Sequence, residues 1–149
     1  MLNSTETHEI LRKNKVILTS EQWSKLERWN CLIQEMNQKI NLISRQNAEQ
    51  TVAGHTADSL AALPLLDEAA ISSPVPMAVM DLGSGGGFPG FPVKICRPGI
   101  NLTCMEATQK KAKFLALAAR ELGLQNVKVI PQHSQELVKD KEYLNKYDV

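Results

Sequence analysis

The chain has 149 residues, is 43% hydrophobic and carries a formal net charge of +1. That length holds one ordinary domain with a small appendage. No apolar run approaches the ~20 residues of a membrane span, and the polar stretch from Met1 to Lys15 lacks the apolar core of an export signal. Charge is divided unevenly, with seven Lys/Arg against nine Asp/Glu in residues 1–76 and ten against seven in residues 77–149. The second half's basic bias is compatible with RNA but too small to predict it. Cys31, Cys96 and Cys104 are scattered, with no metal-ligand spacing, and read as buried thiols of a cytoplasmic protein.

Residues 1–15 read as a frayed polar lead. A helix is expected from Thr19 or Ser20, where Thr19 and Gln22 have capping-box spacing. Trp23, Leu26, Trp29, Leu32, Ile33, Met36 and Ile40 then recur at three- or four-residue intervals and give one apolar face. A second helix is expected over 48–66, with Val52, Leu60 and Leu63 as core and Pro64 marking a bend or a new turn. Ser72-Ser73-Pro74-Val75-Pro76 is a linker, after which the pattern changes. Strands are expected at 77–82, 101–105 and 127–130. Helices are expected at 91–96 and 109–122, a further one at 135–143, and Tyr147-Asp148-Val149 opens a fourth strand. Alternation of strand and helix implies parallel pairing with right-handed crossovers.

The loop after the first strand is the most informative segment: Asp81-Leu82-Gly83-Ser84-Gly85-Gly86-Gly87-Phe88-Pro89-Gly90. A dinucleotide loop reads G-x-G-x-x-G, but Phe88 stands where the third glycine belongs. The pattern D-x-G-x-G-x-G does fit, through Asp81, Gly83, Gly85 and Gly87. It is typical of S-adenosylmethionine (AdoMet) sites, and an acid at the strand end suits a cationic ligand better than a pyrophosphate. Glu106 ends the second strand, where an acid commonly accepts hydrogen bonds from ribose hydroxyls. The same residue would also favour the start of the next helix. Ser134 and Gln135 follow the third strand, within reach of an adenine edge, though each is also an ordinary turn residue. Imidazole in general suits acid–base work at neutral pH, but His55 and His133 read more readily as structural than catalytic. Trp23 and Trp29, at helical spacing among Leu and Ile, read as core. Lys110, Lys111 and Lys113 read as a solvated face. The motifs for exocyclic-amine or pyrimidine C5 methylation are lacking, so no catalytic residue is assigned.

Taken together, the loop with its Phe88-Pro89-Gly90-Phe91-Pro92 extension, Trp29-Asn30 with Lys39-Ile40-Asn41-Leu42, His55-x-x-Asp58-Ser59-Leu60, and Lys111-x-Lys113-Phe114-Leu115 resemble one family. It is the bacterial small-subunit rRNA methyltransferase family RsmG, also called glucose-inhibited division protein B (GidB). The resemblance runs from about residue 19 to the end. It implies methyl transfer from AdoMet to N7 of a guanine in the 530 loop of 16S rRNA, with Gly83 and Phe88 lining the cofactor and Ser134 and Gln135 at its adenine end. His133-Ser134-Gln135 replaces that family's usual Arg-Ala-Glu, and Gly54 replaces an arginine.

The expected fold is therefore α/β, the Rossmann-like parallel sheet of a class I AdoMet-dependent methyltransferase. A polar lead (1–18) and a helical segment (19–76) precede the first half of the AdoMet-binding domain (77–149), whose sheet is incomplete in this chain. The chain reads as incomplete, either a truncated piece or a shortened reading frame. Partners would be 16S rRNA and the small ribosomal subunit, with no membrane, no metal and a monomeric protein. Two rivals are a non-catalytic RNA- or ribosome-binding fragment and a dinucleotide-dependent oxidoreductase.

Overall fold

The computed structural model describes residues 5–44, 48–137, 143 and 146–149. It is a mixed α/β structure with helices α1 (Thr5–Lys13), α2 (Ser20–Asn37), α3 (Ala48–Ala61) and α4 (Leu63–Ala70) ahead of the first strand. Then follow β1 (Ala78–Leu82), α5 (Gly90–Cys96), β2 (Asn101–Met105), α6 (Gln109–Glu121), β3 (Val127–Ile130) and α7 (Ser134–Leu137). The three strands are parallel in the order β1-β2-β3, with Ala78 opposite Asn101 and Leu102 opposite Val127. This is the Rossmann-like arrangement of class I methyltransferases, with each crossover made by one helix.

The chain end lies along the outer edge of β1. Asp148 N–H donates to Ala78 O at 2.8 Å, and Met80 N–H donates to Val149 O at 2.9 Å. Together with the Val149 N–H to Ala78 O contact, this is the pattern of a parallel pair. It places the segment expected to open a fourth strand beside β1, on the side away from β2. Of the helix expected over 135–143, α7 covers Ser134–Leu137, and residues 138–142 lie outside the described residues.

The expected frayed lead is corrected by α1. Only Ile10 and Leu11 mark an apolar stripe there, too short to predict a helix, yet Leu11 is buried where α1 packs on α3. The expected single helix over 48–66 is two helices. Pro64 lies in the first turn of α4, where its missing N–H costs no hydrogen bond. The capping box at α2 forms as its spacing requires, with Thr19 Oγ1 accepting from Gln22 N–H and Gln22 Oε1 from Thr19 N–H. Gln22 also reaches across to Cys96 O at the end of α5, at 3.1 Å.

One buried apolar cluster runs through Leu26, Trp29 and Ile33 of α2, Val52 and Leu60 of α3, Phe91 of α5, Leu102 of β2 and Leu115 of α6. The helical segment and the sheet thus share a core. Cys96 and Cys104 belong to it, and burial pushes both thiols up to about 12. Cys31 is the exception to the expected burial: it is exposed on the outer face of α2, between Arg28 and Glu35. Met80, Met105 and Ile130 lie on the opposite sheet face, where Leu82 is 59% exposed.

Among the described residues no helix is long and apolar enough to cross a membrane. No group of three or more His, Cys, Asp and Glu among them is arranged to hold a metal.

Candidate functional site

The glycine loop turns at the carboxyl end of β1, with Gly83, Gly85 and Gly87 at φ of 75°, 56° and 96°. Such angles strain any residue with a Cβ, which explains the glycines but not what the loop binds. Its amides are engaged within the protein. Gly83 and Ser84 N–H both donate to Met105 O at 2.9 Å, while Gly87 and Phe88 N–H donate to Ser84 O. Gly85 N–H donates to Glu106 Oε2 at 2.8 Å. These five amides are turned inward, toward β2 and into the loop itself.

Asp81 is buried, and its Oδ2 accepts from Gly90 N–H at 3.1 Å, so a carboxylate already occupies the start of α5. The fit is close: a Cβ on Gly90 would stand 2.6 Å from Asp81 Oδ2. Burial, reinforced by the charge of Glu106, pushes the Asp81 carboxyl up to about 6 against the hydrogen bond from Gly90. A dinucleotide pyrophosphate needs free loop amides and an unclaimed helix N-terminus. This loop offers five amides already used and a carboxylate at the helix start.

Glu106 is buried at the end of β2, between the glycine loop and the start of α6. Its Oε2 accepts from Gly85 and its Oε1 from Thr108 N–H at 2.7 Å. Burial opposes its ionisation, but those two amides and the nearby Lys111 hold it below the usual glutamate value. Each oxygen keeps a further lone pair, so the carboxylate can still accept from a diol. The Thr108 contact realises the helix-start role weighed from sequence. Ser134 and Gln135 are exposed at the start of α7, directly after β3, and His133 is exposed beside them. The strand ends therefore present Gly83, Glu106 and Ser134–Gln135 in the order of the strands they follow.

Two glycines of the loop face the helical segment instead. A Cβ on Gly87 would lie 2.7 Å from Trp29 Cζ2 and 3.1 Å from Leu115 Cδ2. The Trp29 indole is fully buried and stacks on Phe91 at 4.6 Å and Phe114 at 5.6 Å between centroids. It fixes α2 against the back of the loop, as its reading as core implies. Trp23 is only half-buried and packs at the margin of that core. A Cβ on Gly86 would stand 3.5 Å from both Leu42 O and Ile43 Cγ2. That approach depends on the buried Asn37, whose Oδ1 accepts from Leu42 N–H at 2.8 Å and Ile43 N–H at 3.0 Å. Sequence reasoning missed Asn37. Its position on the apolar face of α2, just before a short loop, is the signal that marks it.

Between these parts opens a cleft of about 420 Å³. Leu42, Ile43 and Ser44 form one wall, Thr51 and His55 of α3 another, and Ser84, Gly85, Gly86 and Phe88 the base. His55 and Phe88 are in ring contact, 5.3 Å between centroids and tilted by 47°. His55 and Asp58 are exposed on α3, whereas Ser59 and Leu60 of the same motif are buried. Lys110 and Lys113 are exposed on α6, as a solvated face requires, and Lys111 is half-buried.

A family model described as rRNA small subunit methyltransferase G matches residues 22–149. Among curated proteins, three named ribosomal RNA small subunit methyltransferase G are similar to the chain. That of Desulforamulus reducens is 36% identical over 131 residues, 88% of this chain and 52% of its own length. That of Pelotomaculum thermopropionicum is 34% identical over 139 residues, 91% of this chain and 55% of its own length. That of Sorangium cellulosum is 43% identical over 104 residues, 70% of this chain and 42% of its own length. The chain thus spans about half the length of the curated relatives it matches.

Proposed function

Since the chain belongs to the rRNA small subunit methyltransferase G (GidB) family, we propose that it carries the methyl-donor half of an enzyme that methylates N7 of a guanine in the 530 loop of 16S rRNA. The donor in this reading is AdoMet. The observation that carries it is the pairing of Glu106 with a glycine loop whose amides are turned inward. Such a loop suits a nucleoside held by its ribose diol better than a dinucleotide held by its phosphates.

In this reading Glu106 receives the ribose hydroxyls, Gly83 and Phe88 line the amino-acid end, and Ser134 and Gln135 meet the adenine. Asp81 acts through the loop, fixing its far end to α5. When bound, AdoMet would supply an electrophilic methyl whose leaving group is its neutral thioether sulfur. N7 carries no proton, so no base is required. The protein's task is to hold N7 in line with the methyl and to exclude water. His55 and His133 are not needed as proton acceptors. The partner is the small ribosomal subunit or its rRNA, met by a monomeric cytoplasmic protein without a metal.

The test joins the chain to the C-terminal portion of a relative and supplies AdoMet with undermethylated small-subunit rRNA. Mass mapping of the product should find one methyl on guanine N7; a methyl on another base atom or on a small molecule would overturn the reading. A second reading is a protein that binds RNA or the ribosome without catalysing. S-adenosylhomocysteine affinity with no turnover in that chimera would favour it.

A further inference from the structure

We propose that the cleft between the glycine loop and α3 is the seat of the acceptor base, an unstacked purine of single-stranded RNA, with the Phe88–His55 ring pair as its stacking wall. The inference rests on the donor site described above. In that site the ligand runs from Ser134 past Glu106 to Gly83, and the glycine loop divides it from the cleft. Gly85 N–H points to Glu106 on one side, while Gly86 lies against Leu42 and Ile43 on the other. Among the described residues, the cleft takes none from β2, β3 or the loops that follow them. It therefore begins where the donor's reactive end stops.

Its chemistry separates an acceptor base from the donor's own amino-acid tail. A zwitterionic tail needs charged or multiply hydrogen-bonding partners. Among the described residues no Asp, Glu, Lys or Arg lines the cleft; its polar residues are Ser44, Thr51, His55 and Ser84, the last with its hydroxyl donated to Asp81 O. Two aliphatic side chains, two rings and a few neutral polar groups suit a flat neutral heterocycle. About 420 Å³ lies within the usual range for such ligands. Enzymes acting on a base atom take the base out of its stack and read it against aromatic side chains. The half-buried Phe88, standing at the boundary between the donor's amino-acid end and the cleft, and the exposed His55 provide that surface. His55 is then a positioning residue, acting by contact with the base and not by proton transfer.

The test is a titration of this chain with a short uridine-rich RNA carrying one guanosine, read by the histidine Cε1–H NMR signals. The His55 signal is assigned by its loss in His55→Gln. With S-adenosylhomocysteine present, the guanosine RNA should shift the His55 signal and leave His8 and His133 in place, while the all-uridine RNA shifts none. His55→Ala should weaken that RNA about tenfold, the loss of one stacking surface, with S-adenosylhomocysteine affinity unchanged. An unmoved His55 signal would overturn the proposal. So would saturation of that shift by S-adenosylhomocysteine with exclusion of the RNA, because the cleft would then hold the donor. If S-adenosylhomocysteine does not bind, the donor reading falls on its own, and the same titration without it still decides the base site.

Discussion

Gly87 and Gly83 sit four residues apart in one loop, both at positive φ, and yet differ in what a methyl group would cost. At Gly83 a Cβ meets nothing within 4 Å, so Gly83→Ala should cost about 1 kcal/mol of left-handed strain. At Gly87 the Cβ would press on the buried Trp29 ring, and Gly87→Ala should cost about 2–4 kcal/mol. Urea denaturation followed by circular dichroism measures both; equal costs would contradict the packing described. The motif spacing made the glycines legible but could not separate the two reasons, because the second depends on an indole nearly sixty residues earlier. Asp81 has a charge signature of its own. Its carboxyl titrates at about 6 in the fold, above the ordinary aspartate value of 3.8, so between these pH values the folded protein holds a proton the unfolded chain has released. Stability from this residue is therefore greatest at the acid end of that window and falls as pH rises through about 6. Asp81→Asn should flatten the slope and lose no stability at neutral pH, as denaturation at several pH values will measure.

At the scale of elements, the N-terminal helices act as a support for the loop. Trp29 stacks behind Gly87, Asn37 fixes the turn that meets Gly86, and Arg97 ties the end of α5 to Asp67 of α4, with Nε to Oδ1 at 2.6 Å. Asn37→Ala would leave the Leu42 and Ile43 amides without their buried acceptor and should cost about 2 kcal/mol. Hydrogen exchange should show faster exchange at those two amides than at the centre of α2; unchanged protection would show that another group orders the turn. The elements themselves were unevenly legible. Residues 101–105 and 127–130 read correctly as strands because short β-rich runs were bounded by glycine, proline and polar turns. The Thr19 cap was legible because both partners are local. Helix α1 was not, since its stability comes from docking Leu11 on α3 and not from its own pattern. The break at Pro64 was open to two readings, and its place in the first turn of α4 decides for a new helix.

Over the whole molecule, the helices and one parallel sheet meet in a shared core, and the glycine loop lies at their junction. That explains how far the site could be read in advance. Asp81, Gly83, Gly85, Gly87, Phe88 and Glu106 lie on adjoining segments of a β-α-β unit, so linear spacing carries their arrangement. The cleft draws residues from 42–44, from α3 and from the loop, and only tertiary packing brings these together. The central claim is that this junction holds a methyl donor through Glu106. Isothermal titration calorimetry of this chain with S-adenosylhomocysteine and with NAD tests it most directly. The account predicts one S-adenosylhomocysteine bound per chain, affinity reduced about tenfold or more in Glu106→Gln, and no heat from NAD. Binding of NAD without S-adenosylhomocysteine, or full affinity in Glu106→Gln, would contradict it.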